Sequence, residues 1–337
     1  MFIVKDYSMA VLLCFITMIC WGSWGNTQKL ASKNWRFELF YWDYVLGMLI
    51  VSLVIALSLG SIGNEGRPFL TDILQTDFKN IGFAILGGII FNAGNILLSA
   101  AISIAGMAVA FPVGVGIALV LGVIINYFAI QSGNPYFLFL GVALVTIAIL
   151  INAWAYKNKN QIVNSDKSSS KKGLILSVIA GVLMSFFYRF IALSMDLENF
   201  ENPMVGKMTP YSAFFVFAIG VFLSNIFFNT IIIKKPFVGK PTSYIEYFKG
   251  SFNNHITGVL GGIIWGLGNS FNLIAAGKAG AAISYGLGQG ATLVAALWGV
   301  FIWKEFKGSP RKVVIGIMLM FLFFIVGLSL IIFAGKN

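Results

Sequence analysis

The decapeptide LGGIIFNAGN at residues 86–95 returns as LGGIIWGLGN at residues 260–269, with seven of the ten positions identical. The register continues without a gap at an offset of 174 residues. Ala105 and Gly106 fall on Ala279 and Gly280, Gly114 and Gly116 on Gly288 and Gly290, and Leu119 and Val120 on Leu293 and Val294. Each copy lies inside a long apolar run, so the repeated unit carries several membrane spans. The repeat predicts two halves, residues 1–156 and 173–337, joined by a polar, lysine-rich linker at 157–172.

Working outward, apolar runs occupy about 9–28, 38–59, 81–103, 107–129, 136–156, 173–195, 211–233, 256–277, 280–302 and 313–334. Each approaches the roughly 20 residues needed to cross hydrocarbon as a helix. They do not alternate as barrel strands would, and helices satisfy every backbone group internally. The expected fold is therefore an all-α polytopic membrane protein of ten transmembrane helices. Composition agrees: 58% of the 337 residues are hydrophobic and 10% charged, which excludes a water-soluble enzyme or a disordered chain. Lys5 precedes the first run, but that run is too long for a signal peptide and has no A-x-A site after it.

Five spans per half is an odd number, so the second half enters the membrane from the opposite face. The expectation is a pair of inverted five-helix repeats, an arrangement that supports alternating access around a central site. The net charge of +11 is explained by orientation rather than nucleic acid. Sixteen Lys and Arg residues sit on one side, among them Lys29, Lys33, Lys157, Lys172, Lys240 and Arg311. Six sit on the other: Lys5, Arg67, Lys79, Lys207, Lys278 and Lys336. The basic side is expected in the cytoplasm, with both termini outside the cell membrane.

Polar groups within spans are costly and are candidates for function. In WGSWGNTQK (21–29), Trp21, Trp24 and Gln28 share one helical face; they form either a cavity wall or an interfacial aromatic belt. Asn92 and Asn95 share a face in the third span, as do Trp265, Asn269 and Asn272 in the eighth. Tyr285 and Gln289 follow at helical spacing in the ninth, and Tyr188 lies in the sixth. Amides and hydroxyls both donate and accept, which suits a neutral polar solute, although the same groups tie helices together. Gly262 and Gly266, and Gly286 and Gly290, form GxxxG pairs for close helix approach, and Pro112 interrupts the fourth span. Asp43, in FYWDYVLG (40–47), and Arg189, in SFFYRFIAL (185–193), are the ionisable residues inside spans, and a pairing between them would suit coupling. His255, the sole histidine, reads as a boundary residue. Cys14 and Cys20 read as buried thiols. No P-loop, HExxH, GxSxG or clustered metal ligands occur. No enzyme activity, metal or cofactor is expected.

The segment 263–305, from IIWGLGNSFN to WGVFIWKE, resembles the second-half motif of bacterial glucose/ribose porters, and its WGxGN element is similar to the rhamnose–proton symporter. FYWDYVLG together with GGIIFNAGNILLSAAISIAGMAVAFPVGVGI (87–117) resembles the plant ureide permeases. All belong to the drug/metabolite transporter superfamily, whose larger members have ten spans in two five-span repeats. The resemblance implies secondary active import of a small polar solute, most simply a sugar carried by proton symport, with a ureide or nucleobase as the alternative. A non-transporting sensor or scaffold is the competing class. The motif positions carried over are Trp21, Gly22, Trp24, Asp43, Gly94, Asn95, Trp265, Gly268, Asn269 and Gln289. The expected partners are the solute, protons and the lipid bilayer, with no nucleic acid.

Overall fold

The computed structural model describes residues 1–31, 35–159 and 167–336; the side chains of 107–109 and 167–170 are outside that description. Lys33 and linker residues 160–166 therefore lie outside the described residues, as does the side chain of Lys167. Among the described residues, ten helical stretches are long and apolar enough to cross a membrane. These are α1 (Tyr7–Ala31), α2 (Phe37–Leu57), α4 (Phe78–Ala105), α5 (Met107–Ala129), α6 (Pro135–Lys159), α7 (Lys167–Ser194), α8 (Pro210–Lys234), α10 (Phe252–Ala279), a composite ninth span and α13 (Arg311–Ala334). The ninth span is broken into α11 (Ala281–Gly288), α12 (Ala291–Leu297) and a π-helical turn over Trp298–Ile302. Two short helices, α3 (Phe69–Gln75) and α9 (Tyr244–Phe248), occupy connections that read only as polar stretches in the sequence. The described ends of the linker are helical: Lys157 and Lys159 finish α6, and residues 167–172 begin α7.

The connections sort onto two faces. On the first, Tyr7 donates to the carbonyl of Ile332 (2.7 Å), Asn134 N–H to Ala334 (2.7 Å), and Asp77 N–H to Gly206 (3.0 Å). Arg67 bridges Asp72 and the 203–207 loop here. On the second, Arg36 donates to the carbonyl of Lys240, Lys29 pairs with Glu305, and Lys172 reaches the carbonyl of Phe237. Both termini lie on the first face, and most of the basic residues lie on the second.

Helix packing repeats itself. The α4–α7 contact has its counterpart in α10–α1, and α4–α8 in α10–α2. The α5–α7 contact has its counterpart where α11 and α12 meet α1, while α6–α13 and α2–α8 pair equivalent helices with each other. This is the pattern that an inverted duplication generates.

Glycine makes the crossings close. A Cβ on Gly47 would collide with the Val259 carbonyl, and one on Gly220 would stand 2.5 Å from the Ile85 carbonyl. Ile85 and Val259 are themselves one repeat apart. Small residues permit this backbone approach where lipid offers no hydrophobic drive for association. Gly106 and Gly280 turn the chain at φ 82° and 79° between consecutive spans, a left-handed conformation that glycine adopts without strain. Outside, Leu150, Phe227 and Met318 are largely exposed, a surface that suits hydrocarbon rather than water.

Candidate functional site

A cavity of about 20 Å³, room for a water molecule, lies where α1, α4, α5, α7, α10 and the ninth span converge. Trp21, Trp24, Asn95, Trp265 and Gln289 line it, together with Leu98, Phe111, Val115, Met184, Phe187 and Ala291. Trp21 and Trp24 are 5% and 2% exposed, so they face the protein interior and not an interfacial belt. The Trp21 and Trp265 rings are near-parallel, 9° apart in plane with centroids at 5.7 Å. Phe91 approaches Trp265 to 4.3 Å, and Phe217 stacks on it at 6.4 Å. The result is a continuous aromatic wall, with rings contributed by both repeats. Gly268 makes it possible, since any side chain there would strike Cys20 and Trp21.

The polar residues differ in how fully they are paired. Asn92 donates to Ser224 Oγ (2.9 Å), and Asn272 donates to the carbonyl of Ser284 (2.9 Å). Tyr285 donates to the carbonyls of Ala118 and Met184, each at 3.2 Å, and Tyr188 reaches the carbonyl of Asn272 and Ser284 Oγ at 3.5 Å. These four tie helices together, although the Oδ1 atoms of Asn92 and Asn272 have no partner. Gln28 donates to the carbonyl of Ser99 (3.1 Å), leaving its Oε1 unpaired. Asn95 donates to the Tyr41 hydroxyl (3.2 Å), and its Oδ1 has no partner. Asn269 is fully buried, and neither its Oδ1 nor its Nδ2 has a partner. The Trp21 Nε1 is likewise unpaired. An unsatisfied buried amide costs about 1–3 kcal/mol, so a group left in this state asks for a functional explanation. Asn95 and Asn269 occupy the same position in the two repeats.

Asp43 and Arg189 do not meet. Asp43 lies near the Phe37 end of α2, on the face opposite the termini, and is 2% exposed. Its Oδ1 accepts from the Tyr247 hydroxyl (2.7 Å), and His255 Nδ1 stands 2.9 and 3.1 Å from its two oxygens. Trp35 packs edge-on against the imidazole at 5.2 Å. Burial and the adjoining Asp43 carboxylate push the Tyr247 phenol above its ordinary range. Arg189 stands near the Ser194 end of α7, close enough to influence Lys207 on the termini face. Pairing the two by their opposite charge fails because they belong to opposite ends of their helices. His255 does sit at a helix boundary, in the first turn of α10, but it is Asp43's partner there.

Several participants carried no sequence signal. Phe111, Val115, Met184 and Phe187 are ordinary apolar residues of spans. Phe91 was findable: the 174-residue offset places it on Trp265. Tyr247 and Trp35 lie in stretches read only as loops.

Ten membrane-crossing helices around a buried cavity with aromatic and amide walls are the architecture of a permease. The chain belongs to the ureide permease family, whose family model matches residues 40–172 and 157–334. It is a multi-pass membrane transporter for small polar solutes. Ureide permease 1 of Arabidopsis thaliana is 25% identical over 383 residues, covering 98% of each chain. A Streptococcus pyogenes serotype M1 chain named "Putative sugar uptake protein" is 27% identical over 325 residues, covering 95% of this chain and 97% of its own. One solved crystal structure superposes with a TM-score of 0.61 at 15% identity, covering 97% of this chain and 98% of its own. That likeness concerns the fold alone.

Proposed function

We propose that the protein imports small, neutral, nitrogen-rich solutes of the ureide or oxo-heterocycle kind. Two inverted halves, residues 1–156 and 173–337, would alternate access to the cavity between them, in the layout of ten-span drug/metabolite transporters. The observation that carries this reading is the pair of repeat-related amides, Asn95 and Asn269, with unpaired polar atoms beside the Trp21–Trp265 wall. A flat ring stacks on indole, and its alternating N–H and C=O groups match amide donors and acceptors. Both features suit a ureide better than a puckered, hydroxyl-only ring.

Sugar transport is the second reading, supported by the streptococcal relative's name and by the ability of amides to bind hydroxyls. Coupling to protons is supported by Asp43, an acid at 2% exposure held by His255 and Tyr247. The basic bias supports a cytoplasmic location for the second face, with both termini outside.

Purified protein in proteoliposomes, given radiolabelled allantoin under an imposed pH gradient, tests the proposal. Uphill uptake that excess unlabelled allantoin blocks and glucose leaves intact is the expected result. Uphill uptake of labelled glucose in the same vesicles, with none of labelled allantoin, would replace ureide with sugar. No flux for any solute would leave a sensor or scaffold.

A further inference from the structure

A second cavity, of about 30 Å³, lies between α1, α5, α6 and the end of the ninth span. It abuts the central cavity, because Phe111 lines both. Its walls have the same mixed character. Asn26, Asn152 and Thr292 are polar, and Trp303 and Phe111 are aromatic. Asn152 is 5% exposed and has no hydrogen-bond partner among the described residues. Asn152 thus offers the cavity an amide donor and an acceptor.

At the second-face end of this cavity stands a compact cluster. Lys29 Nζ stands 2.7 Å from Glu305 Oε1, and the Tyr156 hydroxyl donates to Glu305 Oε2 at 2.8 Å. The Lys29 ammonium also lies 4.2 Å from the centre of the Trp303 ring, and Trp303 Nε1 donates to Asn26 Oδ1 (2.8 Å). The segment carrying Glu305 follows the π-helical turn, and Lys304 holds φ 51°, the one positive φ at a non-glycine among the described residues. π-turns and such strained residues concentrate where a segment must rearrange. Lys29 and Glu305 side chains are 39% and 23% exposed, so parting them is cheap compared with parting a fully buried pair.

Toward the termini face the central cavity is sealed differently. Tyr188, Ser284, Asn272 and Cys14 pack there in direct, fully buried contact. Toward the second face, by contrast, Phe111 is shared between the two cavities.

We propose that the second cavity is a solute station on the route between the central cavity and the second face. Phe111 is the partition, Asn152 the polar contact, and the Lys29–Glu305–Tyr156 cluster the outer closure. Lys29 and Glu305, the charged residues of its lining, neutralise each other, so the station takes neutral solutes with amide-type donors and acceptors. The identity of the solute rests on the function proposed above; the existence of the station does not.

The test uses purified protein in proteoliposomes with radiolabelled allantoin as probe. Asn152→Ala is expected to slow allantoin exchange about tenfold, the equivalent of one lost hydrogen bond, while equilibrium binding stays within about twofold. Exchange at the unmodified protein's rate would overturn the assignment of Asn152. A second arm needs no solute. In a background with Cys14 and Cys20 replaced by Ala, the Asn152→Cys variant is treated with a water-soluble methanethiosulfonate. Modification from the second face, faster when Glu305→Gln is added, is expected. A thiol that stays unmodified with and without Glu305→Gln would overturn the station. Unmodified protein that neither binds nor exchanges allantoin would overturn the ureide reading alone, and the thiol arm would then decide the station.

Discussion

The rings of Phe91 and Trp265 stand with centroids 4.3 Å apart and planes inclined by 34°, and the two residues occupy the same position in the repeated decapeptide. Residues one repeat apart touch each other only where an axis relating the two copies would pass. Trp265 also lines the central cavity, so the cavity would lie beside such an axis, with walls drawn from both ends of the sequence. A rocking motion of one half against the other would change its shape more than that of any peripheral site.

Trp265 should therefore tolerate a smaller ring but not the loss of one. Trp265→Phe places at this position the residue already present at its repeat mate. It should fold normally while weakening solute binding through the lost overlap with Trp21. Trp265→Ala removes the contacts to Trp21, Phe91 and Phe217 and should cost about 3–5 kcal/mol of stability as well as uptake. Thermal unfolding in detergent, beside an uptake assay, checks both. Equal unfolding midpoints for the two variants would show that the wall carries no packing energy.

Asn269 should behave in the opposite sense. Its amide is fully buried without partners, so Asn269→Leu removes a desolvation penalty and fills a similar volume. The solute-free protein should gain about 1–3 kcal/mol and lose transport. A stabilised variant with unchanged uptake would make Asn269 a mere packing residue. Asn92 is the comparison: its donor is used by Ser224 while its Oδ1 is unpaired, so Asn92→Leu forfeits a hydrogen bond and should gain less than Asn269→Leu.

The sequence makes the helices and their duplication legible because lipid imposes a simple rule, a continuous apolar run per span, and because the repeat preserves its glycines. The aromatic wall is half legible. Tryptophans in a polar-flanked motif attract notice, whereas Phe187 and Met184 look like any lipid-facing residue until the fold turns them inward. The Asp43 cluster is not legible, because Asp43 and His255 are 212 residues apart and the connection carrying Tyr247 has no apolar period to mark α9. The break in the ninth span escapes for a related reason: hydropathy records that a segment is buried, not that its hydrogen bonding shifts to a π-turn.

Asp43 offers a separation of binding from coupling. Asp43→Asn keeps a hydrogen-bond acceptor for Tyr247 but removes the charge facing His255. Exchange of labelled for unlabelled solute should persist, and uphill accumulation driven by a pH gradient should fail. His255→Gln should move the same readout in the same direction, since it removes the imidazole that adjoins both carboxylate oxygens. Accumulation at the unmodified level in both variants would reduce the cluster to a latch holding α9 and α10 against α2.

The glycine crossings test the duplication itself. Gly47 and Gly220 face the carbonyls of Val259 and Ile85, residues that are repeat mates. Gly47→Ala and Gly220→Ala each force two helix backbones apart and should each cost about 1–3 kcal/mol, as overpacking does. Gly82 lies in α4, where an added methyl group would meet nothing within 4 Å, so Gly82→Ala should instead gain about 0.5–1 kcal/mol from helix propensity. Thermal midpoints of the three variants in one detergent decide the matter. If Gly47→Ala and Gly220→Ala differ as widely from each other as either does from Gly82→Ala, the two crossings are not energetic equivalents, and the symmetry of the packing does not extend to its energetics.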